Sequence, residues 1–149
     1  MSTYTQIIYQ IVFSTKYRKK TLLKPSRQKV FAYMLGILKN KKCHPYIING
    51  VEDHVHILTH LHPTVSLASL VKEIKISSHS FIDEQGLLPG FTNWQNGYGA
   101  FTYSKDSLPN LIRYIENQES HHHRDTFEDE YRRLLEEHGV EYDERYIFE

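Results

Sequence analysis

Two short β-like runs, residues 46–51 (YIINGV) and 54–61 (HVHILTHL), are separated only by Glu52 and Asp53, with Gly50 just before the gap. That spacing folds the chain back on itself as a hairpin. The second arm carries histidine at both position 54 and position 56. On a strand, residues i and i+2 face the same way with Cα atoms roughly 6.5 Å apart, so both imidazoles can approach one ion at about 2.1 Å. On a helix the same spacing turns the rings about 200° apart. The pair therefore makes chemical sense only on a strand, with Val55 and Ile57 facing the opposite, packed side. Two polar residues on the wet face of a sheet is the simpler account of such a pair, and a third ligand is needed before it makes a useful metal site.

The rest of the chain supplies partners for that hairpin. Residues 4–15 (YTQIIYQIVFST) read as an apolar strand, followed by the basic loop Lys16-Tyr17-Arg18-Lys19-Lys20. Pro25 opens a helix whose apolar face is Val30, Phe31, Met34, Leu35 and Leu38, ending near Asn40. After Pro63 and Thr64, the spacing of Leu67, Leu70, Val71, Ile74, Ser78 and Phe81 predicts a second amphipathic helix that Gly86 closes, with Lys72 and Lys75 on its outer face. Residues 98–103 (YGAFTY) read as another strand. Ser107 and Pro109 begin a third helix striped by Leu108, Leu111, Ile112 and Ile115. Thr126 caps a fourth, with Glu128, Asp129 and Glu130 in its first turn and Gly139 after its end. The order β-α-β-β-α-β, then helices, predicts an α+β fold: a ferredoxin-like (RRM-like) antiparallel sheet covered by helices. No repeat, low-complexity tract or linker interrupts it, so residues 1–149 are expected to form a single domain.

Charge limits the partners. Lys and Arg balance Asp and Glu at 18 each, so a polyanion has to be held by a local basic surface rather than a global field. The 16–20 loop, with Tyr17 as a stacking ring among Lys16, Arg18, Lys19 and Lys20, is one such surface, and Lys72 with Lys75 is a second. No apolar run approaches the ~20 residues of a membrane helix and no basic-then-apolar leader opens the chain, so a cytoplasmic protein without a membrane partner is expected. The single Cys43 excludes an internal disulfide and a thiolate metal site, which leaves it as a small buried filler. Trp94 and Tyr98 could stack on an unpaired base, though aromatics beside a strand are more often core. His121, His122 and His123 fan out by 100° each on a helix and cannot converge on an ion, so they read as a helix end. Asp53 could accept a hydrogen bond from a ligating histidine, but strand alternation would turn it away.

The third helix offers the missing groups. Tyr114 and Gln118 are i and i+4, neighbours on one helical face at the margin of the apolar stripe. Gln118 brings a carbonyl oxygen suited to Mg²⁺ or Mn²⁺. Tyr114 brings a phenol that is a weak nucleophile unless a nearby cation favours the phenolate. With the His54/His56 pair, these two describe a metal-assisted nucleophile.

The chain resembles the small single-tyrosine HUH transposases of bacterial insertion sequences, which move DNA as single strands. The likeness runs nearly end to end, through STKYRKK (14–20), NGVEDHVHIL (49–58), VKEIKISS (71–78), WQNGYGAF (94–101), YIENQ (114–118) and HHHRDTFEDEY (121–131). The resemblance implies an HUH endonuclease fold with His54 and His56 as metal ligands, Gln118 as the third, and Tyr114 as the nucleophile. It further implies cleavage and rejoining of single-stranded DNA at hairpin-marked ends through a 5′-phosphotyrosine, with Mg²⁺ or Mn²⁺ and no nucleotide cofactor. It also implies a homodimer in which His54 and His56 of one subunit work with Tyr114 of the other.

Two rivals share parts of this pattern. A related HUH nickase, or a host-adopted relative acting on repeated hairpins, has the same core, but the short chain and lone YIENQ favour transposition. A non-catalytic nucleic-acid-binding module also uses a ferredoxin-like sheet with surface aromatics, yet the glycine- and aromatic-rich pattern of such RNA binders is absent.

Overall fold

A computed structural model of the chain describes residues 1–122 and 124–148. The side chains of His121 and His122 and all of His123 lie outside the described residues, and with them the reading of that triplet as a helix end. Four strands, β1 (Ile8–Ser14), β2 (Pro45–Gly50), β3 (His54–His60) and β4 (Gly99–Thr102), form one antiparallel sheet in the order β2-β3-β1-β4. Among the described residues five α-helices accompany it: α1 (Ser26–Asn40), α2 (Leu67–Gln85), α3 (Leu108–Glu116), α4 (Gln118–His122) and α5 (Phe127–Glu137). This is the α+β, ferredoxin-like arrangement expected, with the hairpin in place.

Period-two alternation decides what each face of the sheet meets. Ile11 and Phe13 of β1 and Val55 and Ile57 of β3 point to one side, where Val30, Met34 and Leu38 of α1 and Leu70, Val71 and Ile74 of α2 close over them. The other side carries Ile8 and Leu58 under Leu108 and Ile115 of α3. There too Val12 and Phe101 lie under Phe127, Tyr131, Leu134 and Leu135 of α5. Because helices cover both faces, the strand register that pairs Val12 with His56 and Ser14 with His54 places the two imidazoles inside the protein. The wet-face account of the pair does not hold.

Helix ends follow local chemistry. Ser66 caps α2 by accepting a hydrogen bond from the Ser69 amide at 3.2 Å, and Gly86 ends it in the left-handed conformation. Thr126 does the same for α5 through the Asp129 amide at 3.2 Å. Two expectations need correction. The first strand begins at Ile8 rather than Tyr4, because its partner β3 runs out at His60, opposite Ile8. The third helix stops at Glu116, and Asn117 turns out of it (φ −94°, ψ 22°) before Gln118 starts α4. Tyr114 and Gln118 are therefore not neighbours on one continuous helix.

Trp94 is core: its ring meets Phe13 and Phe91 edge-on at centroid distances of 5.2 and 4.9 Å, and its indole N–H donates to Ser78 at 3.0 Å. Cys43 is buried and free. Among the described residues, no helix is long and apolar enough to cross a membrane.

The hairpin turn is tight enough to test. A Cβ built on Gly50 would lie 2.2 Å from the carbonyl oxygen of His54 and 3.0 Å from Val55 Cα, both of them backbone atoms that cannot swing aside. Gly50→Ala is expected to cost about 1–3 kcal/mol of stability, as overpacking does, measured by urea unfolding. Wild-type stability in that variant would show that the turn yields more easily than its contacts imply.

Candidate active site

His54 and His56 lie on the β3 face toward α3 and α5, 2% and 0% exposed. Between them sits Glu130, which the sequence places in the favourable first turn of the last helix. Glu130, on the buried side of α5, brings its Oε1 within 3.1 Å of His54 Nε2 and 3.0 Å of His56 Nε2. Gln118 is also buried, with Oε1 3.1 Å from His54 Nε2 and its amide donating to Glu130 Oε2 at 3.3 Å. A carboxylate thus joins the expected His54, His56 and Gln118 set: one potential ligand atom from each of His54, His56 and Glu130 lies within 4.8 Å of the others. The signal was present in the sequence. Glu130 falls among Phe127, Tyr131, Leu134 and Leu135, the positions that face the core, and a carboxylate in an apolar stripe calls for a partner.

The other ring nitrogens are held too. Asp53 Oδ1 stands 2.7 Å from His54 Nδ1, and both side chains are buried. Strand alternation does not apply to Asp53, since it belongs to the bend before β3, where its carbonyl accepts the Thr15 amide at 2.9 Å. The Gln10 amide lies 2.9 Å from His56 Nδ1, and the Tyr103 hydroxyl donates to Gln10 Oε1 at 2.7 Å. Such contacts fix how a ligating imidazole is turned.

Electrostatics follow from burial and these carboxylates. Burial opposes a charge on His54, yet Asp53 and Glu130 outweigh it and hold the ring's pKa up at about 9. Burial pushes His56 down. Burial also works to raise Glu130, but the two imidazoles prevail and keep its carboxyl well below the usual carboxylate range. The pocket is built to hold positive charge between two acids. Two imidazole nitrogens, a carboxylate and an amide oxygen, all buried together, suit a divalent cation.

Tyr114 completes the group. Its hydroxyl donates to Glu130 Oε2, and its ring stands edge-on to His56 at 6.2 Å. Burial and the Glu130 charge push its pKa up, opposed by Arg133. Tyr114, Gln118 and both histidines therefore meet around one carboxylate of the same chain. Within one chain α3 packs on its own sheet through Leu108 and Ile115, which brings Tyr114 to that chain's own histidines.

The predicted DNA-binding residues are scattered in their situations. Lys16, Lys19, Lys20 and Lys72 are exposed, and Tyr17 is 65% exposed with an unusual positive φ of 59°. Arg18 is tied down, donating to the Phe148 carbonyl at 2.8 Å with its guanidinium 5.1 Å from the Phe148 ring centre. Lys75 does not belong to an outer face. It is half-buried, donates to the carbonyls of Gln95 and Gly97, and burial pushes its pKa down to about 8. Tyr98 is partly buried, 5.9 Å from the Lys75 ammonium.

A four-stranded antiparallel sheet in this order, covered by helices and carrying His-x-His on its hairpin, is the HUH endonuclease fold. The model of the IS200-like transposase family matches residues 3–118, and the chain belongs to that family. Two solved structures share the fold. One is the 1.90 Å crystal structure of a candidate transposase from Deinococcus radiodurans R1 (21% identity, 79% of this chain and 95% of that one, TM-score 0.61). The other is a REP-associated tyrosine transposase bound to a REP hairpin (14% identity, 82% of this chain and 74% of that one, TM-score 0.59). No curated protein matches the chain in sequence.

Proposed function

We propose that this transposase-family protein cuts and rejoins single-stranded DNA at hairpin-marked ends, using Tyr114 as the nucleophile. The observation that carries this is the meeting of the Tyr114 hydroxyl and both histidines on Glu130. Membership of the IS200-like family and the hairpin bound by a structural neighbour support the choice of substrate. His54, His56 and Glu130, with the Gln118 oxygen beside them, would hold Mg²⁺ or Mn²⁺. Bound there, such an ion would supply positive charge that offsets the charge developing on the phosphate.

The chain's own residues do the rest. Tyr114 Oη bonds to phosphorus as the bond from phosphorus to the 3′ oxygen breaks, giving a 5′-phosphotyrosine and a free 3′-hydroxyl. Glu130 Oε2 already accepts the phenol's hydrogen bond and so aims the oxygen. Because one phosphodiester replaces another, a second 3′ end can reverse the step without a nucleotide cofactor. Exposed Lys16, Tyr17, Lys19, Lys20 and Lys72 are the groups available to the DNA backbone and bases.

The test is a hairpin-bearing single-stranded oligonucleotide with and without Mn²⁺. Metal-dependent cleavage that leaves protein on the 5′ side of the break supports the proposal, and a mobility shift without any cut would reduce the protein to a binding module. Joining two ends requires two sites near each other, so we infer a two-fold pair of chains. If each site is built inside one chain, a mixture of His56→Ala and Tyr114→Phe subunits should stay inactive in a gel cleavage assay. Recovered cleavage in the mixture would instead mean that tyrosine and histidines are shared across the pair.

A further inference from the structure

The Tyr114 oxygen has a second charged neighbour, and it comes from the same helix as the first. Glu130 and Arg133 are i and i+3 on α5, so they stand one above the other, and Arg133 lines the same cleft as Tyr114, where its charge opposes the rise of the phenol's pKa. The guanidinium is 43% exposed at its side chain and rests 2.9 Å from Asp125 Oδ2, in a surface pairing that is easily exchanged. It opens onto a cleft of about 380 Å³ that Tyr114 also lines, together with Gln10, Tyr103, Ser107 and Asn110. Leu111 and Leu134 add apolar surface to this ring of amides and hydroxyls. Amides, hydroxyls and a flat apolar strip are what a nucleotide's base and sugar require. An arginine at the cleft's junction with a tyrosine hydroxyl offers two parallel N–H donors to a phosphate.

We propose that Arg133 grips the scissile phosphate beside Tyr114 and that this cleft receives the nucleotide attached to it. The inference rests on the reading of Tyr114 as the nucleophile. On binding DNA, the guanidinium leaves Asp125 for two non-bridging phosphate oxygens and holds the phosphorus in line with Tyr114 Oη. Glu137, one turn further along α5 and also lining the cleft, disfavours a phosphate at its own position.

The experiment compares wild type, Arg133→Gln, Arg133→Lys, Asp125→Asn and Asn110→Trp in single-turnover cleavage of a hairpin-bearing oligonucleotide with Mn²⁺, alongside hairpin affinity and thermal melting. Arg133→Gln is expected to lose about 100-fold in cleavage rate, the scale of removing one donor to a transition-state oxyanion, with hairpin affinity nearly unchanged. Arg133→Lys should recover part of the rate, since the charge returns without the fork. Asp125→Asn, which frees the guanidinium, should cut at least as fast as wild type. Asn110→Trp, which fills the cleft, should cut slowly while binding the hairpin normally. Equal losses in Asp125→Asn and Arg133→Gln would show that the pair only braces α5, and unchanged cleavage in Arg133→Gln or in Asn110→Trp would overturn the phosphate grip or the cleft. If Arg133→Gln melts well below wild type, the Lys variant and Asp125→Asn still separate the two roles. A wild-type protein that never forms an adduct would remove the Tyr114 reading and this proposal together, whereas an adduct formed equally by wild type and Arg133→Gln would remove the proposal alone.

Discussion

Tyr114→Phe is expected to leave a folded protein that binds the hairpin oligonucleotide yet forms no DNA adduct that survives a denaturing gel. The cleavage rate should drop by roughly 10⁴-fold or more, because removal of a nucleophile leaves only positioning and electrostatics behind. The fold should tolerate the change. Phe keeps the ring edge-on to His56, and Glu130 Oε2 keeps the hydrogen bond from Gln118. Loss of the phenol's own bond to a charged acceptor costs about 1.5–3 kcal/mol, small enough to leave the molecule native in buffer. Mass spectrometry of the wild-type adduct should place the phosphoryl group on Tyr114. A label on Tyr98, Tyr103 or Tyr131 would move the chemistry elsewhere.

The second large effect concerns Glu130, which touches the nucleophile and both histidines. Glu130→Ala should abolish Mn²⁺-dependent cleavage, with a loss of about 10³-fold or more, and should match His56→Ala in doing so. A metal readout separates this from misfolding. Mn²⁺ should raise the melting temperature of wild type and EDTA should reverse the rise, since an ion bound only by the native state stabilises it. Neither addition should move Glu130→Ala. Glu130→Gln serves as the milder control, keeping the shape and the Tyr114 contact while removing the charge. If Glu130→Ala still melts higher with Mn²⁺ and still cuts, the carboxylate is a spacer and Gln118 is the third ligand after all.

The two histidines were legible because their spacing tolerates one secondary structure only, and because the hairpin around them announced itself in a gap of two residues. Tyr114 was legible through the YIENQ resemblance, and its helix through an uninterrupted stripe. Glu130 was hidden by a sufficient local explanation: an acid in the first turn of α5 is favourable there anyway, so its position in the apolar stripe drew no question. Strand alternation turns Asp53 away from His54, but the residue lies in a bend just before β3 that turns its carboxylate back to that ring. Gln118 was placed on the wrong element because nothing in the sequence marks Asn117 as a break. Lys75 looked solvated by helical spacing alone, while the segment that covers it lies some 20 residues on, at Gln95 and Gly97. For Glu130 and Lys75 the deciding neighbour is distant in sequence.

That distance has a consequence for the newly made chain. His56 and Glu130 are 74 residues apart, and β1, β2 and β3 all precede α3 and α5 in order of synthesis. As a chain emerges from its N-terminus, the hairpin and its β1 partner can pair while the tyrosine, the carboxylate and Arg133 do not yet exist. On the proposed function, the chemistry needs α5 docked, so a copy that stops before Tyr114 and Glu130 would carry the two histidines without the tyrosine and carboxylate they meet in the finished chain.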